Sequence, residues 1–205
     1  MIVTVVNHKG GVTKTTTAIH LAGFLALENG EGSTALVDTD PNEGALEWAA
    51  RGEDTETPLP FPVLGPEDRS GEEEHVVYDS QGRLYGEDLD AAAEFSDVLV
   101  VPTTVDGVAV NTLMRFVEDV EELGAGAKCR VLLTRVPHRW SLRVIRTRRA
   151  LEEAGVRLFS GQIRERVAFQ DAGTAGVLVG QVKGKGAREG WEDYLKIGRE
   201  LIGER

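Results

Sequence analysis

The segment at positions 7–17, which reads NHKGGVTKTTT, contains the residue types that hold a phosphate group. Gly10 and Gly11 allow backbone N–H groups to turn toward an anion, and Lys14 adds a full positive charge. Thr15 carries a hydroxyl of the kind that such loops place on Mg²⁺. We therefore predict a phosphate-binding loop, whose contacts are made by Gly10, Gly11, Val12, Thr13, Lys14, Thr15 and Thr16.

Carboxylates stand at the ends of two later apolar runs. Asp38 and Asp40 follow the run 34–37, and Asp79 ends the run 75–78. An Asp-Pro pair such as Asp40-Pro41 is also a common way to end a strand. Its position about one strand–helix–strand unit after the loop favours a role at the phosphate site. Asp79 is suited to accept hydrogen bonds from a water molecule on Mg²⁺.

Short apolar runs alternate with helical patterns and must position these groups. Strands are predicted at 2–6, 34–37, 75–80, 97–102, 129–135 and 156–159. The run 61–64 contains a proline and is a candidate edge strand. The alternation predicts an α/β fold, a mostly parallel twisted sheet with helices on both faces, in a single domain over 1–205. The carboxyl ends of parallel strands line one crevice, so we expect the loop and the carboxylates to meet there.

The loop departs from the common G-x-x-x-x-G-K-[ST] pattern at both glycine positions. His8 and Thr13 occupy them, and a second lysine, Lys9, precedes Gly10 and Gly11. A Cβ atom at position 13 restricts a tight turn that faces phosphate. We expect this substitution to affect the rate of hydrolysis more than nucleotide binding.

Lys9, the two glycines and Lys14-Thr15-Thr16 resemble the deviant Walker A motif, K-G-G-x-G-K-[ST]-T, of the ParA/MinD family of P-loop ATPases. The resemblance implies ATP and Mg²⁺ as cofactors and a homodimer that sandwiches ATP, with Lys9 reaching the partner's phosphates. It makes Lys9, Lys14 and Asp40 the catalytic residues, with Asp40 positioning the attacking water. Metal contacts are then expected from Thr15, Asp38 and Asp79, and adenine contacts from Thr134 and Arg135.

Charge is unevenly distributed along the chain. The net charge of −11 disfavours nucleic acid as a partner, but residues 124–166 hold eleven basic and three acidic residues, a local charge of +8. On a helix over 141–154 the exposed arginines are candidate phosphate contacts. Alternatively, these arginines pair with acidic residues on the surrounding protein surface and bind no external phosphate. ParA dimers bind non-specific DNA through basic residues, so the resemblance implies DNA contacts from Arg139, Arg143, Arg146 and Arg149.

The resemblance leads us to expect a slowly hydrolysing ATP switch for plasmid or chromosome partition, stimulated by a small centromere-binding adaptor. A single cysteine excludes a disulfide framework, and no apolar run is long enough to span a bilayer. A cytoplasmic, nucleoid-associated protein without a membrane partner is therefore expected. The alternatives are a MinD-like ATPase that binds membranes through its C-terminal helix, and a regulator that binds nucleotide without hydrolysing it. A P-loop kinase would need an acceptor site that the sequence does not reveal.

Overall fold

The fold is built on one sheet of parallel strands, seen in a computed structural model that describes residues 1–68, 71, 73–82, 84–137 and 141–203. Within these ranges the strand order is β3-β2-β4-β1-β5-β6, and every neighbouring pair is parallel. The strands are β1 Ile2–Val5, β2 Thr34–Asp38, β3 Val63–Leu64, β4 His75–Asp79, β5 Val98–Thr103 and β6 Cys129–Leu133. The predicted α/β fold is confirmed.

Helices cover both faces of this sheet. They are α1 Lys14–Asn29, α2 Gly44–Gly52, α3 Glu87–Phe95, α4 Gly107–Glu122, α5 Leu142–Glu153, α6 Ala168–Ala175 and α7 Lys185–Leu201, with a short 3-10 helix at Val179–Gln181. Successive strand residues point to opposite faces, so Val100 packs under α1 while Leu99 and Val101 pack under α4. Two apolar cores result, one on each face, and the strands between them are almost wholly buried.

The strand predicted at 156–159 is wrong as a sheet member. It is reduced to an isolated parallel bridge between Val131 and Leu158, beside the edge strand β6. The Phe159 amide donates to the Val131 carbonyl at 2.9 Å, and the amide of the next residue, Ser160, donates to the Glu200 carboxylate on α7, also at 2.9 Å. The backbone therefore leaves the sheet after Phe159, whose side chain enters the core on the α1 face.

The C-terminal helix α7 packs against α1, which itself lies on the sheet. Tyr194 and Ile197 are fully buried, and a Cβ atom at Gly198 would lie 2.3 Å from the Phe24 ring. Only glycine allows the two helices to come this close. In the described part of the chain, no helix combines the length and apolar character needed to cross a membrane.

Candidate nucleotide site

The phosphate-binding loop leaves the end of β1, a central strand, and is held by side chains from neighbouring strands. The Asn7 amide donates to the Pro102 carbonyl and accepts from the amide of Lys9, at 2.7 and 2.8 Å. The buried Thr134 hydroxyl, at the end of β6, lies 3.1 Å from the Val12 carbonyl. These contacts connect the loop to both strands on one side of β1, which fixes its shape before any ligand binds.

Thr13 adopts a backbone conformation typical of glycine, which is the residue that the phosphate-loop pattern has at this position. Its φ is +72° and its ψ is 34°, in the left-handed region that β-branched residues rarely occupy. Its carbonyl accepts from the amide of Thr17 at 2.9 Å, which begins α1. The loop therefore keeps the glycine geometry, with backbone strain at position 13.

Lys14, Thr15 and Gly82 converge beside the loop. Lys14 is buried, and a Cβ atom built on Gly82 would lie 3.8 Å from its Nζ. The Thr15 hydroxyl would lie 3.5 Å from a Cβ atom at Gly44. Two segments that follow β2 and β4 thus approach the start of α1 at glycines, which leaves room for phosphate beside the ammonium. Gly82 is not among the site residues predicted from the sequence.

Asp38 and Asp79 lie directly opposite each other at the carboxyl ends of β2 and β4. Asp38 accepts from the amides of Ala45 and Leu46, at 2.8 and 3.1 Å, so it anchors the start of α2. The Asp79 carboxylate is fully buried, and neither oxygen has a hydrogen-bond partner among the described residues. Burial raises the pKa of Asp79 to about 7. The nearby Thr15 hydroxyl and Lys14 ammonium act in the opposite direction, and the charges of Asp38 and Asp40 act in the same direction as burial.

The residues at this corner fit a Mg²⁺ ion bound with a nucleotide. A buried carboxylate without a donor costs free energy unless a cation or a metal-bound water satisfies it. Asp79 has this environment, and Thr15 presents a hydroxyl from the start of α1. Asp38, whose oxygens already receive backbone amides, is suited to hold the loop after β2 rather than to contact metal. When bound, the ion would supply charge neutralisation for the phosphates.

Asp40 is only partly buried and stands at the turn after β2. Its Oδ1 accepts from the amide and the side-chain nitrogen of Asn42, at 3.0 and 2.7 Å. The other oxygen has no hydrogen bond among the described residues. The predicted role of Asp40 in orienting water remains a prediction, and this arrangement leaves one oxygen available for it.

A cavity of about 360 Å³ extends from the loop and is suited to a nucleoside. Its walls include Thr13, Thr16, Arg135, Trp48, Phe169 and Tyr194. Arg135 lies at the rim with a positive φ of 48° and pairs with Glu165 at 3.1 Å. Thr134 is not among the residues that line the cavity, and its buried hydroxyl supports the Val12 carbonyl. Its contact with adenine stays a prediction.

His20 is buried behind this cavity and its tautomer follows from its partners. The Val179 amide donates to Nε2 at 3.0 Å, so Nδ1 carries the proton that it shares with the Thr16 carbonyl at 2.7 Å. The ring stacks on Tyr194, with 4.7 Å between centroids. Burial lowers the pKa of His20 to about 4. The residue is neutral at physiological pH and connects α1 to the 3-10 helix.

Comparison with known proteins agrees with this geometry. Residues 3–179 match the family model described as the CobQ/CobB/MinD/ParA nucleotide binding domain. The chain belongs to this family. It is 35% identical to "Maintenance of carboxysome distribution protein A" of Gloeobacter kilaueensis, over 98% of this chain and 93% of that protein.

Solved structures with low sequence identity share the fold of this family member. The MinC:MinD cell division protein complex of Aquifex aeolicus gives a TM-score of 0.75 at 14% identity, covering 100% of this chain and 96% of that chain. The Cyanothece McdA(D38A)-ATP complex gives 0.71 at 17%, covering 100% and 96%. The predicted ParA/MinD relationship is confirmed by the family match.

The extra lysine of this family member points away from its own loop. Lys9 Nζ lies 3.0 and 3.2 Å from the two carboxylate oxygens of Asp106, at the start of α4. The preceding residue, His8, is buried between Tyr85 and Phe116, and its Nε2 donates to the Leu84 carbonyl at 2.8 Å. Sequence reasoning missed Asp106 because nothing in its local pattern links it to a residue 97 positions earlier.

Most of the basic residues between 124 and 166 have partners inside the protein. Arg148 donates to the carbonyls of Phe159 and Gly161, and Arg149 pairs with Glu153 at 2.7 Å. In contrast, Arg143 and Arg146 are exposed on α5, and no ion pair or hydrogen bond holds their guanidinium groups within the described ranges. Arg139, the fourth candidate for DNA contact, lies outside the described residues. Fewer arginines of α5 are therefore available to bind an external phosphate than the sequence suggests.

Proposed function

We propose that the chain is an ATP-dependent positioning ATPase, which dimerises around ATP and then binds non-specific DNA. In this proposal Lys14, Thr15 and Asp79 bind Mg-ATP within one subunit. Lys9 contacts the phosphates bound by the second subunit, and Asp40 orients the attacking water. Hydrolysis separates the subunits and releases DNA, so nucleotide state controls both dimer population and DNA affinity.

One observation carries the proposal: the chain has two lysines at the loop, and they are directed to different places. Lys14 is buried next to Gly82 and Asp79, where phosphate and metal fit. Lys9 is paired with Asp106 at the molecular surface, and 29% of its side chain is exposed. A single-subunit phosphate site requires only Lys14. A second lysine at the surface edge of the same site is what a site shared by two subunits would need.

Exposed arginines support DNA as the anionic partner. Arg143 and Arg146 lie on the same side of α5, next to the sheet edge formed by β6. Among the described residues, their guanidinium groups have no hydrogen bond or ion pair that would have to be broken for phosphate binding. Because the described chain shows no base-reading motif, the binding we propose is through phosphates and independent of sequence.

For the cargo we propose a protein-bounded compartment of the carboxysome type, presented through an adaptor protein. The 35% identical relative is named for carboxysome distribution, and it aligns over nearly all of both chains. Sequence reasoning expected a plasmid or a chromosome with a centromere-binding adaptor. A pull-down from the native cell separates the two: compartment shell proteins support our cargo, and a DNA-bound centromere adaptor contradicts it.

The test is DNA retention by the purified protein with ATP, with ADP and without nucleotide, across a salt series. We expect binding only with ATP, and a loss of affinity of about tenfold or more for each doubling of salt. The double variant Arg143→Glu, Arg146→Glu should lose binding. Lys183→Glu with Arg188→Glu is the matched control, since it makes the same charge change at exposed positions away from α5. Equal binding in all three nucleotide states would contradict the switch.

Two other functions make different predictions in the same assays. A MinD-like ATPase should sediment with anionic liposomes in ATP and ignore DNA. Its expected anchor, α7, here buries Tyr194, Ile197 and Leu201 against the core, which disfavours it. A non-hydrolysing regulator should bind ATP but turn over no faster than a Lys14→Ala variant. The strained Thr13 is the feature that would produce this result.

A further inference from the structure

The carboxylate that holds Lys9 is itself held in place by its own segment. Asp106 is the N-cap residue of α4, and its Oδ1 accepts from the amide of Ala109 at 2.9 Å. The Thr104 hydroxyl donates to Oδ2. These donors, with Lys9, keep the pKa of Asp106 well below its usual range, so the carboxylate is charged at every physiological pH. Lys9 thus pairs with an immobilised charge.

While it is paired with Asp106, Lys9 is not free to contact the phosphates bound by the second subunit. Its ammonium is within hydrogen-bond distance of both Asp106 oxygens, at 3.0 and 3.2 Å, while its side chain remains 29% exposed. An ammonium group has three donors, and strong contact with a partner's phosphates requires these donors to change direction. Both subunits of a dimer would have to make this exchange.

We infer that Asp106 is a positioning residue that holds Lys9 within its own subunit, and that dimerisation around ATP requires Lys9 to exchange Asp106 for the partner's phosphates. This inference rests on the proposed function. Asp106 then contributes to the dimer dissociation constant. Without nucleotide across the interface, Lys9 remains paired with Asp106 in its own subunit. With ATP present, the phosphates compete for the ammonium with a greater charge than one carboxylate offers.

The N-cap position provides a substitution that isolates charge from helix stability. Asparagine and aspartate cap helices about equally well, so Asp106→Asn keeps an acceptor for Ala109 and removes the charge that attracts Lys9. We expect the dimer formed with a non-hydrolysable ATP analogue to be about three- to tenfold tighter in this variant, because two exposed ion pairs per dimer no longer need to be broken. Glu118→Gln, an exposed acid on the same helix, is the matched control and should leave the dimer dissociation constant unchanged.

The experiment measures three quantities on the full-length protein. The dimer dissociation constant comes from sedimentation velocity with the ATP analogue. Nucleotide affinity comes from a fluorescent ATP analogue at subunit concentrations below dimerisation, and Asp106→Asn should not change it. The acylation rate of Lys9 without nucleotide, followed by mass spectrometry, should rise several-fold in Asp106→Asn, because the Lys9 nitrogen is no longer held in an ion pair and its neutral amine is available to react. A purely structural role for Asp106 would not raise this rate.

The outcomes separate this inference from the proposed function. If the wild-type chain binds no nucleotide or forms no dimer with the analogue, the proposed function fails regardless of Asp106. If the wild type dimerises and Asp106→Asn has an equal or weaker dimer, the positioning role is overturned. The double variant Lys9→Ala, Asp106→Asn should dimerise no better than Lys9→Ala alone, since Asp106 acts through Lys9. A gain in this background would also overturn the inference.

Discussion

Asp38 and Asp79 are register partners on adjacent strands, yet their carboxylates have opposite environments. Asp38 receives the amides of Asp40, Ala45 and Leu46, whereas Asp79 receives no hydrogen bond from any described residue. The difference arises because the chain after β2 turns back over Asp38 to start α2. Asp38 therefore supports the loop, whereas burial raises the pKa of Asp79, whose charged form a bound cation would favour.

We predict that Asp79 makes the nucleotide-free protein less stable as pH rises. Its pKa is about 7 when folded, against an ordinary value of 3.8, so its stabilising protonated form is lost as pH rises through 7. The free energy of unfolding of Asp79→Asn minus that of wild type should increase by about 4 kcal/mol from pH 4 to pH 8. Urea titrations at both pH values measure this difference.

Asp38→Asn is the control for that measurement. Asp38→Asn should lose stability because a charged acceptor of three amides is replaced by a neutral one. We expect a destabilisation of about 1–2 kcal/mol. A gap between wild type and Asp79→Asn that stays constant with pH would contradict the assignment of Asp79. ATP turnover by Asp79→Asn should fall to background.

His20 should destabilise the fold in the opposite pH direction. Its folded pKa of about 4 is below the ordinary 6.5, so the stability it contributes is present above pH 6.5 and lost as pH falls toward 4. Its contribution of about 3 kcal/mol largely cancels that of Asp79 in the wild type. In the Asp79→Asn variant, where this compensation is absent, the free energy of unfolding should fall as pH is lowered from 6.5 toward 4. An NMR titration showing a His20 imidazole that protonates near pH 6.5 would contradict it.

Thr13→Gly should relieve backbone strain at the loop. The left-handed conformation costs an L-residue about 1–2 kcal/mol, and glycine gives back about 0.5–1 kcal/mol through the freedom of the unfolded chain. We expect a net gain of about 0.5–1 kcal/mol, faster ATP turnover, and nucleotide affinity within a few-fold of wild type. Glu43→Gly, at another positive φ, is the control: it should gain stability without accelerating turnover. Slower turnover in Thr13→Gly would show that the threonine contributes to the reaction.

Gly82→Ala should discriminate between bound triphosphate and diphosphate. The added methyl would lie 3.8 Å from Lys14 Nζ, an ordinary contact, so folding stability should change by less than about 0.5 kcal/mol. That methyl occupies space beside the ammonium where a terminal phosphate would bind. We expect ADP affinity to be preserved while affinity for a non-hydrolysable ATP analogue falls about tenfold or more. Equal losses for both nucleotides would place the terminal phosphate elsewhere.

Local sequence patterns were sufficient to predict the main elements of the fold and the loop. Alternating apolar runs and helical periods predicted the strands β1, β2, β4, β5 and β6, and also the short edge strand β3. The order of Lys14, Asp38 and Asp79 along the chain predicted that they meet. These inferences succeed because a parallel sheet brings the carboxyl ends of its strands to one edge. The positive φ of Thr13 was also foreseeable, because a specific spacing required glycine there.

Features that depend on distant partners could not be read from the chain. Arginines 143, 148 and 149 are alike in sequence, but only the packing of α5 beside the edge of the sheet leaves Arg143 exposed while Arg148 donates to two carbonyls. The segment predicted as a strand at 156–159 forms only one bridge to β6, and after Phe159 the next backbone hydrogen bond to that edge comes from Ile163. Sequence alone determined a nucleotide-binding α/β protein with two lysines at its loop. Only the tertiary structure decided that Lys9 is paired with Asp106, because a side-chain contact between residues 97 positions apart depends on which strands are neighbours in the sheet.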